Sequence, residues 1–253
     1  MGHNDARILP SREVWRRRKA SASLVCWIVS CVVMMIFHVT DGSHFKSTAF
    51  LDRATGIATS FETSDVPSNL FESPLAKHPK DVFSCYPLWL CQGSVTLGIL
   101  QAECFSYGRN KRGFHVKDRM FGKNILSFGQ PTSSSLHVKW RDAEHGGMRS
   151  SRKASISIPI VGGCLARKAP NSDTFSGSLR FTLVTSSNST TGSRIETEIT
   201  NDYRPTLAGR PPISALRGLA YRSTQTTLHS YIMWRFHRFC YRQGEKANDE
   251  GAI

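Results

Sequence analysis

LRFTLVTSSNSTTGSRIETEIT, residues 179–200, decides the fold class. Leu179, Phe181 and Leu183 alternate with Arg180 and Thr182. Side chains two apart share one face of a strand, so this period marks a half-buried strand. After a polar loop, Thr185–Gly192, the alternation returns with Arg194, Glu196, Glu198 and Thr200 on the polar face. The pair predicts an antiparallel hairpin. Asn188-Ser189-Thr190 falls in its loop and makes Asn188 a glycosylation candidate if that loop is lumenal.

Upstream, further strands are expected at Val82–Leu90, Ser94–Tyr107, Phe114–Lys117, Ile125–Phe128, Leu136–Trp140 and Ile156–Ile160. Gly108–Gly113 reads as a hairpin loop and Gly162-Gly163 as a turn. Pro87 speaks against an unbroken first strand, and Pro159 favours an edge or a strand end. Downstream, Pro211-Pro212 opens a long helix over Ile213–Arg242. Leu216, Leu219, Leu228, Tyr231, Ile232, Trp234 and Phe239 give it an apolar stripe. Ser223–Thr227 weakens its middle, so it reads as one helix or two pieces. Arg235, Arg238 and Arg242 fit the C-terminal end of the helix dipole, and Gly244 is a stop signal.

The expected fold is α+β: a curved antiparallel sheet of about 6–7 strands with one long C-terminal amphipathic helix. Residues 81–243 would form the globular domain and 244–253 a polar tail. By element order alone, this is similar to the helix-grip domains of the START and pollen-allergen kind. That resemblance implies an apolar cavity between sheet and helix. A lipocalin-like barrel is the alternative.

Leu24–Val39 (LVCWIVSCVVMMIFHV) is uncharged and apolar all round, and Arg16-Arg17-Arg18-Lys19 precedes it. With Ala20–Ser23 it approaches the roughly 20 residues that span a bilayer. The basic cluster keeps residues 1–19 cytoplasmic and sends the chain beyond Asp41 across the membrane. A retained signal-anchor over 20–40 is expected, with a cleaved signal peptide as the alternative. Residues 41–80, rich in Ser, Thr and Pro, read as a flexible linker. Ser47-Thr48-Ala49-Phe50 faintly resembles the start of a plastid transit segment in a bipartite targeting sequence. Asp52, Glu62, Asp65 and Glu72 depart from the acid-poor pattern of such segments. The expected location is therefore the secretory-pathway membrane, with the plastid as the alternative.

The net charge is +14, of which +11 falls on residues 81–253. A basic domain can meet anionic lipid, an acidic protein or nucleic acid, and translocation argues against the last. Of seven cysteines, Cys26 and Cys31 lie in the apolar stretch. Cys85, Cys91, Cys104, Cys164 and Cys240 are disulfide candidates in an oxidising compartment. No CxxC occurs, which excludes a thioredoxin-like motif.

No GxSxG, HExxH, P-loop or GxGxxG motif is present. Glu103, Asp118, Asp142 and Glu144 are scattered acids with no specified partner, and His229 and His237 read as helix-face residues. An enzyme built from residues distant in sequence stays open. The leading expectation is a membrane-tethered domain binding a lipid or other apolar ligand, lined by Tyr231, Trp234, Phe236 and Phe239. The alternative is an interaction or assembly module using its basic face.

Overall fold

The computed structural model describes residues 45–66, 79–92, 96, 98–107, 111–141, 148–169, 174–186, 193–200 and 202–250. Leu24–Val39, Asn188, Asp142 and Glu144 lie outside the described residues. Among those described, no helix is long and apolar enough to cross a membrane.

The strands are β1 (Lys46–Leu51), β2 (Ala58–Val66), β3 (Leu100–Tyr107), β4 (Lys111–Asp118), β5 (Asn124–Phe128), β6 (Thr132–Arg141), β7 (Met148–Gly162), β8 (Ser178–Ser186) and β9 (Ser193–Thr200). Among the described residues, two short helices, α1 (Pro79–Ser84) and α2 (Tyr86–Leu90), lie between β2 and β3. After β9 come α3 (Ala215–Tyr221), a π-helical turn (Arg222–Thr226) and α4 (Thr227–Glu250). The architecture is α+β, an antiparallel sheet with one C-terminal helical run.

The sheet has nine strands in the order β1-β2-β9-β8-β7-β5-β4-β3, with β6 also paired to β7. It is open between β1 and β3, so the lipocalin-like barrel gives way to an open sheet. The count exceeds the expected six or seven because the presumed linker supplies β1 and β2. β2 pairs with β9 from Ser60↔Ile199 to Val66↔Ser193, which joins residues far apart in the chain.

β7 serves two strands along one edge. β6 pairs with it up to Thr132↔Ser157, and β5 takes over at Phe128↔Ile160. Pro159 sits at the changeover, where its missing N–H breaks no ladder bond on that side, and its carbonyl accepts from Gly129 N at 2.7 Å. Gly163 follows with φ 112°, and a Cβ there would stand 2.5 Å from Ile125 O and Leu126 Cα. The close approach of this corner to β5 therefore requires glycine.

Val82–Leu90 is helical, not extended. Pro87 occupies the first turn of α2, where a proline lacks only an N–H that has no intrahelical partner. Phe83, Tyr86 and Trp89 bring aromatic rings from α1 and α2 into the core. Phe83 stacks on Phe181 of β8 at 5.4 Å, and Phe236 of α4 lies 5.0 Å from both Tyr86 and Phe181. Truncating a buried ring of this kind costs about 3–5 kcal/mol.

Met233, Phe236, His237 and Cys240 form the inward stripe of α4, spaced by three and four. The helix runs through Gly244 to Glu250, so 244–250 is not a detached tail. Arg235 and Arg238 consequently lie well before its last turn, where the dipole term has faded. They stack instead on aromatic rings one turn back, Arg235 over Tyr231 at 6.0 Å and Arg238 over Trp234 at 5.7 Å.

Candidate functional site: a buried polar seam between β2 and the C-terminal helix

β2 has an inverted face. Thr59, Phe61 and Asp65 point outward, while Ser60 and Glu62 are buried and Ser64 is half-buried. The inner side of this strand meets the polar positions of α4. Ser60 Oγ lies 3.1 Å from His229 Nε2 and Ser64 Oγ 2.9 Å from His237 Nδ1, while Ser47 Oγ of neighbouring β1 lies 2.7 Å from Ser230 Oγ. Thr197 of β9 reaches His237 Nε2 at 2.7 Å. The helix is thus attached to two adjacent strands through hydroxyl–imidazole bonds.

Glu62 sits at the centre and is 0% exposed. Its Oε1 is 3.3 Å from His229 Nε2 and accepts from Ser47 Oγ at 3.5 Å. Its Oε2 is buried without a hydrogen-bond partner. A buried acceptor left unpaired costs about 1–3 kcal/mol, and more when charged. Tyr86 and Tyr221 lie within electrostatic reach of the same carboxylate. Burial raises both phenols, Tyr221 to about 12, and the Glu62 charge adds to the shift in each.

The π-helical turn supplies the next part of the wall. Thr224 Oγ1 and Thr227 Oγ1 donate to Ala220 O at 2.6 Å and Arg222 O at 3.1 Å. Such back-bonding occupies carbonyls where the regular ladder is interrupted. The turn directs Gln225 Nε2 to Tyr203 Oη at 3.0 Å, and Tyr203 Oη donates to Leu165 O at 2.9 Å.

Two constellations resemble a nucleophile–base arrangement, and neither functions as a triad. Ser60 and Glu62 both use His229 Nε2, so the carboxylate does not orient the ring through its other nitrogen. His237 is held between Ser64 and Thr197 with no carboxylate, and burial, with His229 adding, pushes its pKa down to about 3. An imidazole so weakly basic is neutral at pH 7 and takes up a second proton poorly as a general base. Both histidines face the seam, where they anchor the helix.

Glu103 pairs with Lys117 on the exposed side of β3 and β4, and Asp118 caps a turn through Met120 N at 2.7 Å. Neither meets the seam. Cys85, Cys91, Cys104, Cys164 and Cys240, the disulfide candidates, are all free thiols. Cys85 Sγ donates to Val82 O at 2.8 Å, and Cys240 is fully buried, which pushes its thiol well up. No cluster of three or more metal-ligating side chains occurs among the described residues. Of the expected aromatic lining, Phe236 and Tyr231 are buried, while Trp234 and Phe239 are half-buried. Glu62 was legible in the sequence only as an acid in a presumed linker. Its signal, an acid flanked at two-residue spacing by Ser60 and Ser64, becomes informative once the strand is known.

No family model and no curated protein matches the chain. Among solved structures, that of an uncharacterised protein from Rhizobium leguminosarum is similar at 10% identity and a TM-score of 0.26. The match covers 77% of this chain and 98% of that one. At that score it carries no argument about fold or function.

Proposed function

We propose that this is a membrane-tethered binding domain that holds one amphipathic small molecule, of lipid type, in a helix-grip arrangement between sheet and C-terminal helix. Leu24–Val39 is the tether in this reading, with the domain on the far side of the secretory membrane. The observation that carries it is the unpartnered Oε2 of fully buried Glu62, where β2, α2 and the C-terminal helix meet. A carboxylate oxygen accepts hydrogen bonds. The ligand head that satisfies it is a donor, an amine or a hydroxyl, and a fatty-acid carboxylate is repelled. The aromatic rings of Tyr86, Trp89 and Phe236 supply apolar surface for the body of such a molecule.

The test is titration of the full chain with fluorescent long-chain probes that differ only in the head: amine, alcohol and carboxylate. The amine and the alcohol are expected to saturate and the carboxylate to bind at least about tenfold more weakly, a difference of about 1.4 kcal/mol. Glu62→Gln keeps the shape and removes the charge, so it abolishes the preference for the amine. Equal binding of all three heads, unaltered in Glu62→Gln, would refute the proposal.

A further inference from the structure

Five arginines from four separate segments gather around the connector between β9 and α3. Arg53 in the β1–β2 turn donates from Nε to Ile213 O at 3.0 Å, and its side chain lies against Gly218. Arg204 Nη1 donates to Thr55 O. Arg167, after β7, donates from Nη1 to Gly209 O, and its backbone N bonds Arg204 O at 2.8 Å. Arg217 of α3 lies over Gly209, with Nη1 2.6 Å from where a Cβ would stand. Arg210 follows Gly209 directly in the chain. Crowding is felt within the group: burial lowers the Arg167 pKa, and Arg210 and Arg204 lower it further.

None of the five forms an ion pair with a carboxylate among the described residues. The nearest acids in sequence are Asp52 and Asp202. Asp52 is committed to its own turn, accepting from Ala54 N at 2.9 Å and Thr55 Oγ1 at 2.5 Å. The carbonyl bonds alone would account for three arginines as connector braces. They use one of the five donors on each of these guanidiniums and leave the positive charge uncompensated.

Large apolar side chains are exposed on the same helix and connector. Leu216 and Leu219, three residues apart on α3, are 77% and 64% exposed. Leu207, in the Thr206–Gly209 turn beneath Arg217, is 45% exposed. Exposed leucines among clustered arginines match a bilayer interface, where apolar side chains enter the headgroup region and basic ones meet anionic lipid. A polyanion without apolar groups would satisfy the arginines and leave the leucines in water.

We infer that the surface formed by Arg53, Arg167, Arg204, Arg210, Arg217 and the leucines of α3 and its connector docks on an anionic membrane. This surface shares no residue with the Glu62 seam and does not depend on it; docking requires only an anionic leaflet on whichever side of the bilayer the domain lies. Docking would bring the N-terminal end of the C-terminal helical run against the lipid headgroups.

Hydrogen exchange read by mass spectrometry on the full chain tests it, with vesicles of phosphatidylcholine alone or mixed 7:3 with phosphatidylserine. Insertion of Leu24–Val39 would take the chain to both vesicles alike, so the readout is local protection at residues 204–222. Protection there is expected with the mixed vesicles, is lost in high salt, and is absent with phosphatidylcholine alone. Each arginine near such a surface contributes about a fivefold affinity factor. Arg210→Gln with Arg217→Gln, two exposed sites whose side chains make no hydrogen bond among the described residues, is expected to move the vesicle midpoint about 25-fold. Leu216→Ser with Leu219→Ser is expected to weaken it as well. Protection that is equal on both vesicles, or that polyglutamate produces and vesicles do not, would overturn the inference; the second result would make this a protein-docking surface.

Discussion

Acidification from pH 7 to pH 5 is expected to destabilise the domain through His237. Its ring is buried between Ser64 and Thr197, with Phe45 edge-on at 5.6 Å and His229 adding positive charge from the same helix. The folded-state pKa is about 3, against an ordinary value of 6.5. Between those values the unfolded chain binds a proton that the folded chain refuses, so stability rises with pH. The contribution is complete above pH 6.5 and is lost progressively as pH falls towards 3. The loss is about 1.4 kcal/mol per pH unit, or about 2 kcal/mol at pH 5. For a domain of this size that lowers Tm by roughly 4–8 °C. Urea unfolding of the full chain at half-unit steps from pH 7.5 to 5 measures it, with His237→Gln as the reference that lacks the titration. The wild-type slope is expected to exceed the variant's by about 1 kcal/mol per unit below pH 6.5. If the variant does not fold, the His237 ring proton shifts of the wild type give the same answer. Equal slopes in the two proteins, or a His237 resonance that titrates near pH 6, would refute the reasoning.

Gly163→Ala is expected to lower stability by about 2–4 kcal/mol, because the added Cβ meets β5 backbone that has nowhere to move and φ is positive there. Thermal unfolding checks this against Gly122→Ala, whose Cβ meets nothing within 4 Å though its φ is also positive. Alkylation of the native chain, read by peptide mass spectrometry, is expected to label exposed Cys104 and Cys164 early and Cys240 only on unfolding. Early labelling of Cys240 would mean that α4 leaves the sheet in the native state.

The parts of the fold legible in the sequence are those where hydrophobic periodicity matches burial. β8 and β9 were readable because Leu179, Phe181, Leu183 and Ile195 all face the core. The weak middle of the C-terminal helix was readable from Ser223–Thr227, and the π-helical turn falls there. β2 was hidden for the opposite reason. Its outer face carries Phe61 and its inner face carries Ser60 and Glu62, so the pattern is inverted and the stretch reads as polar linker. The far end of the chain, folding back as α4, brings His229 to both of those groups. α1 and α2 were hidden in a run of apolar residues too short to show a helical period, and Pro87 was read as breaking a strand when it starts a helix. The candidate site shares this limit. Glu62, His229 and Tyr221 are far apart in sequence, and no spacing rule joins them. The arginine cluster is similar: its members come from four segments, and only the β9–α3 connector collects them.

In the proposed function the seam beneath the C-terminal helix holds an amphipathic molecule. The most direct measurement is organic extraction of the full chain, purified natively from a secretory host, followed by mass spectrometry of what it releases. About one molecule per chain with an apolar body and an amine or hydroxyl head is expected, and markedly less of it in Glu62→Gln. An empty extract from folded protein, or a carboxylate-headed molecule retained equally by Glu62→Gln, would contradict it.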